Sequence, residues 1–151
     1  MESVANIAKS ECLYQFDFTT ISTLAFDLSA NIQITNDILS LINYRAHSFP
    51  KQIIFNPNFE SQHALIQGVG SLPLKLNHKG VETFVLVKNV GFDPQACENI
   101  LSANLFSLQF NASILMEIKS GLILRKTTRT KLAKLEVRNH ICTIYLRIES
   151  V

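Results

Sequence analysis

The chain has no tryptophan, and its 151 residues include only three cysteines, four prolines and five glycines. Cys12, Cys97 and Cys142, odd in number and widely spaced, fit neither a disulfide framework nor a zinc site. Reduced thiols in an intracellular protein are the simplest expectation. Charge is also scarce: 17% of residues are charged and the net charge is +2. So small an excess does not by itself imply a nucleic-acid partner, and none is expected. No apolar run approaches the roughly 18 residues of a membrane-crossing helix, so no membrane partner is expected either. The opening MESVANIAKSE is polar and lacks the apolar stretch of a secretory leader. The expected compartment is the cytoplasm, with the nucleus as the alternative. Asn111-Ala112-Ser113 matches a glycosylation sequon, which has no meaning outside the secretory route.

What is present is apolar bulk. Hydrophobic residues make up 47% of the chain, and ten phenylalanines supply most of the aromatic volume. That excludes a disordered chain and suffices for one domain with a buried core. Residues 1–19 read as an N-terminal arm and first strand, and residues 20–151 as one folded domain. Short β-rich runs dominate: CLYQFDF, TTISTLAF, IQIT, KQIIF, LPLKL, ETFVLV, SLQFNASILMEI, SGLILRK and CTIYLRI. LPLKL and ETFVLV are joined by Asn77-His78-Lys79-Gly80, whose Asn and Gly suit a hairpin turn. Gly68 and Gly70 flank one valine without the strand-turn-helix context of a phosphate cradle, so a bend or bulge is expected there. Asn36-Asp37 signals a turn or helix cap, and Pro50 is expected to end the segment that follows. The helical signal is DPQACENILSANLF: Asp93 as cap, Pro94 at the first position, and Ile100, Leu101 and Leu105 on one face. Together these runs make a mainly β domain with one or two short helices.

The residue that calls for an explanation is Asp27. In LAFDLSANIQITND a carboxylate ends an apolar strand. Either it accepts backbone N–H groups and ties down a turn, or it stands where a substrate meets it. The other acids have structural roles available: Asp37 and Asp93 at caps, and Asp17 on an alternating strand facing water. His47, His63, His78 and His140 show neither HxxxH nor HxH spacing, and three of them fall in expected loops. No metal ion and no other cofactor is expected.

The order of motifs resembles a known family. LAFDLSANIQITND is similar to the opening of the retropepsin-like aspartic protease domain of Ty1/copia-type retrotransposon Gag-Pol polyproteins. That family has an apolar pair, then Asp-Ser/Thr-Gly-Ala/Ser. IQGVGSLPLKL resembles its Gly-Ile-Gly-Thr strand. LVKNVGFDPQACENILSANLF resembles its Asn-Val-Leu-Tyr-Val-Pro…Asn-Leu-Leu-Ser segment, and HICTIYLRI its closing Gly-Leu-Tyr-x-Leu strand. The resemblance covers roughly residues 20 to 150. It implies a small closed β-barrel that works as a homodimer, with Asp27 of each subunit as the catalytic pair and a polyprotein peptide as substrate. It also implies an active-site loop of Leu28, Ser29 and Ala30, and a flap between Ile53 and Leu65.

Two carboxylates a few ångströms apart share one proton, so one acts as base on a water while the other hydrogen-bonds the scissile carbonyl. The family's hydroxyl after the Asp stiffens the paired loops, and its Gly lets backbone and water approach without a Cβ. Leu28 stands in place of that hydroxyl and cannot donate a hydrogen bond. Ser29 stands in place of the Gly, while Ala30 fits. The expectation is therefore an aspartic endopeptidase with an impaired site. The alternative is a catalytically inactive β-barrel that serves as an interaction or dimerisation module.

RKTTRTKLAKLEVR concentrates positive charge in Arg125, Lys126, Arg129, Lys131, Lys134 and Arg138, against Glu136 alone. Lysines commonly blunt exposed sheet edges, so a solvated strand edge or loop is expected. No aromatic interleaves with the charges, which argues against single-strand binding.

Overall fold

The computed structural model describes residues 23–27, 30–55, 62–97, 99–116, 120–137 and 143–147. The expected arm at 1–19, Cys12, Asp17, Leu28, Ser29, His140 and Cys142 lie outside them. The described chain is mainly β. Its strands are β1 (Thr23–Asp27), β2 (Ile34–Thr35), β3 (Ile42–Phe55), β4 (Gln62–His78), β5 (Val81–Phe92), β6 (Ile100–Ser102), β7 (Ala112–Met116), β8 (Ser120–Arg125), β9 (Lys131–Val137) and β10 (Thr143–Arg147). One α-helix, α1, covers Ala103–Phe110, and a single 3-10 turn covers Ile38–Ser40. None of the described helices is long and apolar enough to cross a membrane.

All ten strands join one sheet in the order β3-β4-β5-β2-β6-β1-β10-β9-β8-β7. β1 runs in its interior, parallel to β6 and antiparallel to β10. β2 bridges β5 (parallel) and β6 (antiparallel). The sheet curls into a half-barrel, so that β4 and β5 approach β9 across the interior. Leu24, Phe26, Leu74, Leu101, Phe106, Ile123 and Leu135 fill that interior. A smaller cluster of Ala25, Ala30, Ile34, Ala64, Ile66 and Ile100 packs separately. Alternation along β1 explains the division: Leu24 and Phe26 point to the large core, while Ala25 points to the small one.

Turn chemistry behaves as the sequence suggests. Lys79 and Gly80 link β4 to β5 with φ of 50° and 84°, the paired left-handed geometry that matches strand twist. Gly68–Gly70 pairs in regular register with Val90–Phe92, and the ladder slips just past it, where Lys88 and Asn89 of β5 face Ser71 alone, so the extra residue expected in this stretch lies on the neighbouring strand. Tyr44 lies where a Cβ on Gly68 would project, and Ile42 O lies 3.0 Å from one on Gly70.

Three elements differ from expectation. The helix does not start at Asp93. Residues 93–97 form turns, Ile100–Ser102 is a strand, and the helix begins at Ala103 with Ser102 as its cap, its Oγ accepting Leu105 N at 3.2 Å. The apolar pair Ile100-Leu101 is claimed by pairing with β1, which overrides its helical spacing. SLQF, expected as strand, is the second half of α1, whose Phe106 packs edge-on to Phe26 at 5.3 Å. Asn111 closes the helix in the left-handed region, with φ 49°. Pro50 does not end its segment. β3 continues through it, at a place where the ladder with β4 is interrupted between Ala46 and Lys51, so its missing N–H removes no ladder bond. His47, His63 and His78 sit on strands rather than in loops.

A buried carboxylate and an apolar cleft

Asp27 is the last residue of β1 and is 1% exposed. The ladders set it opposite Ser102 of β6 and Thr143 of β10. Two residues from Ala25, it shares that residue's side of the strand, the side of the small cluster. Ala30, three residues on, is buried in that cluster. Leu28 and Ser29 lie outside the described residues.

Next to the small cluster is a cavity of about 220 Å³. Asn31, Ile32 and Gln33 line it together with Ile53 of β3 and Ile66 and Val69 of β4. The flap expected between Ile53 and Leu65 coincides with the arms of the β3–β4 hairpin, paired Ile53↔Ala64, Ile54↔His63 and Phe55↔Gln62. Its tip, residues 56–61, lies outside the described residues. Ala64 and Ile66 pack inward, while Ile54 and Leu65 face out. Gly91 makes the close packing of Ile66 possible: a Cβ there would sit 3.1 Å from two of its carbons.

Polar contacts hold the walls. Asp93, also buried, accepts Leu65 N at 3.2 Å through Oδ2 and Gln95 N at 2.9 Å through Oδ1. It thereby caps its own turn, and also clamps the base of the hairpin. Asn99 Oδ1 accepts Thr35 Oγ1 at 2.9 Å and Asn36 N at 3.0 Å, and Asn36 Nδ2 donates to Ala96 O at 2.9 Å. These bonds fix the segment leading into β6, the strand beside Asp27. Asp37 caps the 3-10 turn, accepting Leu39 N at 3.0 Å, as its sequence context suggests. Gln33 Nε2 donates to Lys88 O at 3.1 Å, while its buried Oε1 has no hydrogen-bond partner among the described residues.

Asp27 and Ala30 are therefore brought to one place, and Asp93 and Asp37 serve as caps. Gln33, Asn99 and the second role of Asp93 escape sequence reasoning. In IQIT alternation suggests polar side chains facing out, yet Gln33, Ile34 and Thr35 are all buried. The described residues contain no grouping of His, Cys, Asp and Glu able to hold a metal ion. Cys97 is an exposed free thiol.

Asp27 and Asp93 are the two buried carboxylates among the described residues. Both oxygens of Asp93 are engaged by backbone N–H groups, from Leu65 and Gln95. No protein-family model matches this chain, nor does any curated protein or solved structure. The functional reading therefore rests on the residues and their geometry.

Proposed function

We propose that the chain is a retropepsin-like aspartic endopeptidase domain derived from a Ty1/copia-type retrotransposon polyprotein. In this reading two copies meet to complete the site, and each supplies Asp27. The observation that carries it is a carboxylate buried at the C-terminal end of an interior strand of a mainly β chain. The pair of Asp27 carboxylates holds one proton and titrates as a unit. One carboxylate takes a proton from the attacking water, and the other hydrogen-bonds the scissile carbonyl. The substrate is an extended polyprotein peptide with an apolar side chain in the cleft. Leu28 and Ser29 weaken the site, because reacting groups tolerate about 1 Å of misplacement poorly.

The test is a peptide library incubated with the purified protein at mildly acid pH, with sedimentation in parallel. Cleavage by a dimer that disappears in Asp27→Asn supports the reading; a dimer silent at every pH refutes catalysis. A second reading, an inactive dimerisation or interaction module, draws on the near-complete closure of Asp27 within a single chain. It predicts that Asp27→Asn changes no measured property, and that Leu28→Thr with Ser29→Gly restores hydrolysis. Protein that stays monomeric at high concentration removes the peptidase reading and the dimerisation form of the second.

A further inference from the structure

Along the sequence, positive charge is densest between residues 125 and 138. Residues 125–138 carry six cations against Glu136, a net +5; since the whole chain is +2, the rest is net −3. Edge protection does not account for this cluster. β8 is paired on both sides, by β7 and β9, and β9 by β8 and β10, so neither is an edge strand of the sheet. Ion pairing does not account for it either. Arg125, Lys126, Arg129, Lys131 and Lys134 are exposed, and none of the five forms a salt bridge among the described residues.

The end of this hairpin is a fixed frame. Arg129 N donates to Arg125 O at 2.8 Å, and Arg125 N to Thr130 O at 2.9 Å. The Thr128 and Thr130 hydroxyls lie 2.7 Å apart, and Lys126 N donates to Asn111 O at 3.0 Å, tying the turn to the end of α1. Arg129 is held at φ 61°, a conformation costly for its side chain and kept only where surrounding bonds impose it. The cations are thus presented on a stiff support.

The chemistry of the surface identifies its partner. Residues 125–131 are Arg, Lys and Thr without exception. There is no apolar or aromatic anchor of the kind that dominates protein–protein contacts, and none for stacking on unpaired bases. Arg, Lys and Thr are the side chains that contact phosphate oxygens. Lys131 and Lys134 are about 10 Å apart along β9, a length over which a duplex presents about six phosphates. We propose that the β8–β9 hairpin docks on the phosphate backbone of double-stranded nucleic acid without reading its sequence.

The test is fluorescence anisotropy of the whole chain on a labelled random duplex. Four phosphate contacts predict an affinity loss of about a hundredfold between roughly 50 and 200 mM salt. The variant Arg125→Gln/Lys126→Gln/Arg129→Asn/Lys131→Gln flattens that dependence, while Lys51→Gln, exposed on β3, leaves it unchanged. If circular dichroism shows the fourfold variant unfolded, the pairs Arg125→Gln/Lys126→Gln and Arg129→Asn/Lys131→Gln serve instead, each lowering the log–log slope by about 1.8. No binding at the lowest salt overturns the proposal, as does a salt slope that the hairpin variants leave intact. Polyglutamate that displaces the duplex at equal charge also overturns it, assigning the surface to acidic proteins instead.

Discussion

Replacing Asp93 by alanine tests how the hairpin arm is held over the cleft. Its carboxylate is 5% exposed and accepts two backbone N–H groups, from Leu65 across the sheet and from Gln95 in its own turn. A hydrogen bond to a charged acceptor contributes about 1.5–3 kcal/mol. Leu65 is 47% exposed and Gln95 is also exposed, so water takes over part of each lost bond. The expected loss for Asp93→Ala is therefore about 2–3 kcal/mol, toward the low end for two such bonds. That is a large share of the 5–15 kcal/mol typical of a whole domain, and it lowers Tm by about 8 °C at this chain length. Asp93→Asn keeps one acceptor and loses about half as much. Urea denaturation gives the free energies, and amide exchange gives the location, with Leu65 N–H losing protection before the β1 amides. A loss under about 0.5 kcal/mol for alanine, or an unchanged Leu65 amide, refutes the clamp.

Other substitutions probe other parts of the fold. Phe106→Ala removes a fully buried ring packed on Phe26 and Phe110 and is expected to cost about 3–5 kcal/mol by urea denaturation, with Phe106→Leu far milder. Burial raises the Tyr44 hydroxyl pKa above its ordinary value. The folded state therefore holds this proton after the unfolded chain has released it, and stability falls as pH rises from about 10 toward the raised value. Tyr44→Phe should show a shallower loss across that alkaline range in denaturation midpoints measured at stepped pH. Lys75 is buried and bonds to Glu82, itself 44% exposed, at 3.1 Å. Since water reaches the glutamate, Glu82→Gln should cost about 1 kcal/mol or less. Lys75→Met, which removes the buried charge itself, should be nearly neutral. A lysine substitution that costs more than the glutamate one in equilibrium denaturation contradicts this account.

Local signals carried much of the architecture. The Asn77–Gly80 turn and the Asp37 cap each follow from a few adjacent residues, because turn and cap geometry is set by φ and by short side-chain bonds. Asp27 stands out for a similar reason, a carboxylate that ends an apolar run. Where a choice depended on distant partners, local reading failed. Ile100 and Leu101 have helical spacing, but the parallel pairing with Ala25 and Phe26 makes them a strand and moves the helix on to Ala103. Gln33 and Thr35 look outward-facing, yet both are buried, Gln33 donating to Lys88 O and Thr35 to Asn99 Oδ1, partners more than fifty residues away.

The lysines of β9 illustrate the same boundary. Their number and order are plain in the chain, and so is the expectation of a solvated edge. Which strands are edges is a property of the assembled sheet, and there β7 covers β8 while β10 covers β9. Composition and alternation determined that this polypeptide folds as β-structure around an apolar core, since burial of alternating side chains needs nothing beyond neighbours in the chain. Strand order, the clamp from Asp93 to Leu65 and the burial of Asp27 between β6 and β10 came from contacts between residues far apart in the sequence, which only the folded sheet brings together.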